Sequence, residues 1–226
     1  VVNFVTGPGS SVGKVLTESK DVDGLTFTGS FDVGMGIYRS FAAGDYVRPA
    51  ILELGGKNPA IVSRNADIED AAVGIVRSAF GLQGQKCSAC SRVFVEVPVY
   101  QKLVERVVEL TRKLTVGDPA ERETFMGPVI NKSSYEDFKG FCKDLKAAGR
   151  ILAGGEALTE GELAKGYFCQ PTVAVDVPIT HKLWKQEMFV PITMIHPVKD
   201  LKEAMELANS TRYGLTAGFY GTEEEV

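Results

Sequence analysis

Long apolar runs are missing from this chain. No stretch approaches the roughly 18 to 20 consecutive apolar residues that a bilayer span requires, so a membrane partner is not expected. Basic clusters are missing too. Lys and Arg number 25 against 29 Asp and Glu, the net charge is −4, and the longest like-charge run is acidic, Glu223 to Glu225. Without a basic stripe, nucleic acid is not an expected partner. The four cysteines, Cys87, Cys90, Cys142 and Cys169, are too few and too scattered for a disulfide framework, and a reducing compartment is the default. There is no internal repeat and no low-complexity segment. Position 1 is not methionine. The opening "VVNFV" reads as a strand in mid-fold, and the chain stops just after a strand-like run in "GLTAGFYGTEEEV". The expectation is a piece of a longer protein, with any targeting signal out of view.

What is present is an alternation of strands and helices. "VVNFV" is read as a strand, "TGPGSSVG" as a glycine-bearing turn before a short helix, "GLTFT" as a strand and "GSFDVGMGIYRSFAA" as a helix. "AILE" and "PAIVS" are strands around the turn "LGGKN". Ile68, Ala71, Ala72, Ile75 and Ala79 form a helical stripe, and Asp67 with Asp70 marks its start. In "RVFVEV", Val93, Val95 and Val97 alternate as in a half-buried strand. A helix is expected from about Val99 to Leu114, and another at "SSYE", where Ser133 and Glu136 suit a capping box. "RILAGG", "YFCQPTVAVDV" and "PITMIHPV" supply further strands, and Asp200 with Glu203 starts a last helix. This order predicts an α/β fold with a parallel sheet, with a boundary near residues 52–56.

Three segments carry chemistry. In "GQKCSACSR", Cys87 and Cys90 stand three apart. Zinc takes four ligands, but no second pair exists, and Cys142, Cys169, His181 and His196 lie far apart, so no metal is expected. A redox dithiol would open a helix after an early strand, whereas this pair follows a long helix. Two buried structural cysteines remain an alternative. Against it, Gln83, Gly84, Gln85, Lys86, Ser88 and Ser91 surround Cys87 with polar groups and a cation, the setting of a reactive thiol. In "ELGGK", Glu53 ends an apolar strand, where α/β proteins place ligands, and two glycines allow close approach; a solvated turn glutamate is the plainer alternative. "FTGS", residues 27–30, and "GPGSSVG", residues 7–13, each join a strand to a helix through small residues, which suits a phosphate. Gly7, Gly9 and Gly13 run one residue longer than the dinucleotide fingerprint.

Taken in order, "FTGS", "ELGGK", "GQKCSACSR" and "EMFVP" (residues 187–191) resemble the aldehyde dehydrogenase superfamily over nearly the whole chain. Glu53 and Cys87 are 34 positions apart, like that family's base and nucleophile. "SAFGLQGQKCSACSR" is most similar to the branch that oxidises glutamate semialdehyde, the open form of 1-pyrroline-5-carboxylate, to glutamate in proline catabolism. The resemblance implies part of a Rossmann-type parallel sheet (residues 1–54, second half of an NAD-binding domain) followed by an α/β catalytic domain (residues 55–226). It implies Cys87 as nucleophile and Glu53 as base. It assigns Gly9, Gly13, Thr28, Gly29, Ser30, Leu54, Glu187 and Phe189 to the cofactor, NAD or NADP. Lys86 and Ser88 would read the substrate carboxylate. Val190 stands where the family has glycine. The family also implies a small aldehyde substrate, a homo-oligomer, a cytoplasmic or (in a eukaryote) mitochondrial matrix location, and further residues on both sides of this chain, without which it would be inactive. A general aldehyde dehydrogenase, a thiol esterase and a non-catalytic relative are the rival readings.

Overall fold

The computed structural model describes residues 2–225. They divide into two compact units between Gly55 and Gly56. In the first, a π-helical turn (Gly9–Gly13) leads into α1 (Lys14–Glu18). β1 (Leu25–Thr28), α2 (Phe31–Ala42) and β2 (Ala50–Glu53) follow, with β1 and β2 parallel. α2 buries Gly34, Ile37 and Phe41, one stripe at helical spacing. Arg48 stacks 4.0 Å from the Phe41 ring centroid and donates to the Ser19 carbonyl (2.9 Å). The strand expected at 1–5 does not form over the described part. Residue 1 lies outside the described residues, and Phe4 is 90% exposed. A strand needs a ladder partner, and among the described residues none pairs with 2–5.

The second unit carries β3 (Asn58–Val62), α3 (Ile68–Phe80), β4 (Cys90–Glu96), α4 (Val97–Arg112), α5 (Lys132–Ala148), β5 (Arg150–Ala153), β6 (Thr172–Val175), β7 (Ile192–Val198), α6 (Leu201–Ala208) and β8 (Gly218–Tyr220). The six strands lie in the order β5-β6-β7-β4-β3-β8, all parallel except β5, which runs antiparallel to β6. Alternation along the strands separates two cores. Ala60, Val62, Val93, Val95, Val173, Val175 and Ile195 pack with α3 and α4. Ile61, Phe94, Ala174 and Met194 face the other way, with α5 and α6. Each buried aliphatic or aromatic side chain contributes about 1.5–3 kcal/mol. Phe94 also stacks on Trp184 at 5.7 Å. No helix among the described residues is long and apolar enough to cross a membrane.

Two local expectations change. β4 was expected to be half-buried, but both faces are covered, Val93 and Val95 by α3 and α4 and Phe94 by the layer of α5 and α6. Val97 leaves the strand, 60% exposed, to start α4 with Pro98 in its first turn. α5 is capped not by Ser133 and Glu136 but by Asn131, whose Oδ1 accepts the Ser134 N–H (2.9 Å). That cap starts the helix at Lys132, so Ser133 is already helical, and Glu136 pairs with Lys139. Elsewhere the start signals act as read: Asp67 accepts from Glu69 and Asp70, and Asp200 from Glu203.

Candidate active site

In the first unit, parallel pairing sets the carboxyl ends of β1 and β2 side by side. Thr28 is the register partner of Glu53, and the Gly29 N–H donates to the Glu53 carbonyl (3.1 Å). Ser30 caps α2, its hydroxyl accepting the Val33 N–H (3.4 Å). Leu54 closes over α2 at Gly34, where a Cβ would stand 2.2 Å from Leu54 Cδ2. Thr28, Gly29, Ser30, Glu53 and Leu54 therefore share one end of a parallel sheet, the end at which such sheets hold ligands. Gly9 and Gly13 bound the separate π-helical turn, with open space where a Cβ would be.

In the second unit the chain reverses after α3. Leu82, Gln83 and Gly84 are all left-handed, with φ of 53°, 58° and 65°. For Leu and Gln this costs on the order of 1 kcal/mol each or more, so the turn must be held from outside. With its amide oxygen turned to the Gly127 N–H (2.8 Å), Gln83 also donates to the Leu82 carbonyl (3.0 Å). Gln85 Oε1 accepts the Ile130 N–H (3.0 Å). Gly84 presses on the Val190 carbonyl, which a Cβ would approach to 2.5 Å. The turn delivers Cys87 to the surface with its thiol exposed. Cys90, three residues on, is buried at the start of β4, and burial pushes its thiol up to about 12. Ser88 is exposed and Lys86 half-buried. The Lys86 ammonium folds back to within 3.4 Å of a Cβ position on Gly81, the residue that closes α3.

Two distant segments converge on this turn. Gly56 sits against Cys87: a Cβ there would lie 2.4 Å from the Cys87 carbonyl oxygen. The Gly56 N–H donates to Glu187 Oε1 (2.9 Å). The Glu187 carboxyl is half-buried and pushed up by that burial, against the Gly56 N–H and the Lys57 charge. Phe189, two residues on, is left-handed (φ 55°) and 44% exposed. Val190 turns inward, packing its side chain into the α5–α6 core. Within this unit the structure thus joins Cys87, Glu187 and their flanking residues.

Gly56 was read as one of two glycines that allow close approach, but two neighbours, Lys57 and Asn58, were given no role. Asn58, 4% exposed, donates from Nδ2 to the carbonyls of Cys87 (2.7 Å) and Ala89 (3.0 Å) and accepts the Thr216 N–H (3.2 Å). Lys57 is 1% exposed, and its ammonium has no partner among the described residues. The available signal was two polar residues opening an otherwise apolar buried strand. Among the described residues no three His, Cys, Asp or Glu side chains gather as a metal site.

The profile of the aldehyde dehydrogenase family matches residues 1–226. The 1-pyrroline-5-carboxylate dehydrogenase of Geobacillus thermodenitrificans (strain NG80-2) is 44% identical over 220 residues, 96% of this chain and 42% of that protein. That of Bacillus cytotoxicus is also 44% identical over the same shares. Among solved structures, 1-pyrroline-5-carboxylate dehydrogenase from Thermus with bound NAD superposes with a TM-score of 0.92 at 40% identity, covering all of this chain and 43% of that one. Betaine aldehyde dehydrogenase from Staphylococcus aureus in complex with NAD+ gives 0.92 at 31% identity, covering 98% and 44%. The chain therefore spans about two fifths of the length of the relatives it matches. With the family profile running its whole length, the chain belongs to the aldehyde dehydrogenase family.

Proposed function

We propose that the full-length protein oxidises an aldehyde to a carboxylate with NAD, and that the aldehyde is L-glutamate γ-semialdehyde, the open form of 1-pyrroline-5-carboxylate. The observation that carries this reading is the exposed Cys87 thiol on a braced turn, beside Glu187 and Gly56. The name shared by relatives 44% identical supports the substrate. Residues 1–54 serve as the second half of the NAD-binding domain and 55–226 as the catalytic domain.

The residues present fit a nicotinamide dinucleotide. Glu187 is a half-buried carboxylate, one oxygen fixed by Gly56, and its lone pairs suit ribose hydroxyls. Thr28 and Ser30 offer hydroxyls for phosphate where α2 begins, and Gly29 between them, its N–H held by the Glu53 carbonyl, adds no side chain to block the approach. Leu54 in the first unit and Phe189 in the second are each apolar groups of the kind that suits a ring, and Gly9 and Gly13 leave their turn unobstructed. NAD bound there supplies the hydride acceptor. Cys87 Sγ attacks the aldehyde carbon, forming a C–S bond and an oxyanion. After the carbon gives up its hydride, Cys87 carries a thioester. Glu53 takes a proton from water, the water oxygen adds to the thioester carbon, and the C–S bond breaks. The carboxylate leaves and the thiolate returns.

The test is NADH formation from glutamate semialdehyde by the full-length protein. Cys87→Ser should abolish it, since serine at this position lacks a base to ionise it; retained turnover refutes the assignment. A broader aldehyde specificity is the second reading, favoured by the fold-back of Lys86 towards Gly81. Ser88→Ala and Lys86→Met separate the two. A lost charge-assisted hydrogen bond costs roughly one to two decades of kcat/KM on the semialdehyde and much less on an uncharged aldehyde. Equal losses on both substrates favour the broader enzyme.

A further inference from the structure

We infer that Asn58 is a positioning residue for the nucleophile, holding the Cys87–Ala89 backbone and with it the Cα–Cβ bond from which the thiol projects. The inference rests on the proposed role of Cys87. Cys87 sits on an exposed turn, where a side chain has no packing of its own to fix it. The backbone beneath it is fixed. Asn58 Nδ2 has two hydrogens, and both are used, one on the Cys87 carbonyl (2.7 Å) and one on the Ala89 carbonyl (3.0 Å). Its Oδ1 accepts the Thr216 N–H (3.2 Å), which fixes which way the amide faces. One buried side chain thus ties the start of β3, the turn carrying Cys87, the entry to β4 and the segment before β8. The Cys87 carbonyl is also confined by Gly56, beside the Asn58 amide. A Cβ on Gly56 would stand 2.4 Å from that oxygen, and 2.7 and 2.9 Å from the Asn58 amide atoms. A carbonyl held by a donor and walled by a glycine leaves ψ of Cys87 no alternative. Side-chain direction follows backbone direction, so the clamp fixes the Cα–Cβ bond from which Sγ projects and limits Sγ to the staggered positions about that bond.

The amide is the one side chain of this shape that can serve. Aspartate keeps the acceptor for Thr216 but turns a carboxylate oxygen on two carbonyls. Serine keeps a single donor. Alanine keeps nothing. Each hydrogen bond is worth roughly a factor of ten, so the order of function is Asn, then Ser, then Asp and Ala.

The experiment uses the full-length protein with Asn58→Ser, Asn58→Asp, Asn58→Ala and, independently, Gly56→Ala. Two quantities are read on variants that melt cooperatively. One is amide hydrogen exchange of residues 86–90, which needs no substrate. The other is the rate of the first-turnover NADH burst, set against NAD affinity. The inference expects exchange to rise about tenfold or more in Asn58→Asp. It expects the burst to slow by one to two decades in Asn58→Asp and Asn58→Ala, partial recovery in Asn58→Ser, and NAD affinity within about twofold in the three Asn58 variants. Gly56→Ala should slow the burst as well. An unchanged burst in folded Asn58→Asp overturns the inference, as does a burst and NAD affinity that fall together in every variant. If wild type forms no NADH from the semialdehyde at all, the proposed function has failed, and hydrogen exchange alone decides whether the clamp exists. Unchanged exchange then overturns it.

Discussion

Lys57 is the sharpest place to test the energetics of this fold. Its ammonium is buried without a partner among the described residues. Burial first, and the nearby Arg92 guanidinium second, push it down from 10.5 to about 7; Glu187 and Cys90 oppose them. Arg92 cannot relieve the strain, since it is itself a cation without an acceptor, held in place by its hydrogen bonds to the carbonyls of Lys57, Leu207 and Ala208. The unfolded chain therefore binds a proton at Lys57 that the folded chain releases between about pH 7 and 10.5, and stability rises with pH across that window. Each pH unit is worth about 1.4 kcal/mol, so the full window amounts to about 5 kcal/mol. Lys57→Met keeps the length and the apolar stem and removes the charge. Urea unfolding of the full-length protein and this variant, at pH 6.5 and 9.5, isolates the effect, because the other titrations cancel in the difference. The variant should be the more stable at pH 6.5, and its advantage should shrink by about 3 kcal/mol by pH 9.5. An advantage that does not change with pH refutes the reasoning, for it would mean that Lys57 finds a partner for its charge.

Other outcomes follow from the same geometry. Brief iodoacetamide treatment of the native protein should modify Cys87 and spare Cys90, Cys142 and Cys169, which are buried with thiols pushed up to about 12; peptide mapping reads this, and Cys90→Ser should keep most of the activity. Glu53→Gln should still give a burst of NADH and then stall as the thioester, whereas loss of the burst with NAD binding intact would make Glu53 an activator of the thiol. The Glu96 carboxyl is held below the usual carboxylate range by its hydrogen bonds from the Arg64 side chain (2.9 and 2.5 Å) and backbone (2.8 Å). A carboxyl so lowered stabilises the fold above its ordinary range and loses that contribution as pH falls through its folded value. Glu96→Gln should therefore be less stable than wild type at pH 7, with the gap closing in acid melts below about pH 4.5; a gap that persists undiminished to pH 3 would refute the pairing.

Local signals were legible where the cause is local. Asp67 and Asp200 announce their helices because a cap acts on N–H groups two or three residues away. The stripe of Ile68, Ala71, Ala72, Ile75 and Ala79 is legible because a helix carries its own period. The alternating strands and helices gave away an α/β fold for the same reason. Val93 and Val95 misled because period two shows that a strand has two faces, not whether the second is wet; only the α5 and α6 layer packed on it decides that. Ser133 misled because Asn131 caps the helix two residues earlier, so that Ser133 already lies inside it. Asn58 was silent for another reason. Its partners stand 29, 31 and 158 positions away, and no window of sequence holds them together.

The two buried faces of the six-stranded sheet constrain how this chain can vary in length. Successive residues of β3, β4 and β6 serve opposite layers, so a single inserted residue in β4 would send Phe94 into the slot of a valine and a valine into the stack on Trp184. Every side chain beyond the insertion would change layer at once. Length can drift only where no such parity exists, in surface stretches such as 159–165 between β5 and β6. Among relatives of this chain, the strands should keep their residue count while that stretch gains and loses residues freely. A homologue with one extra residue inside β4 would have to carry a compensating bulge.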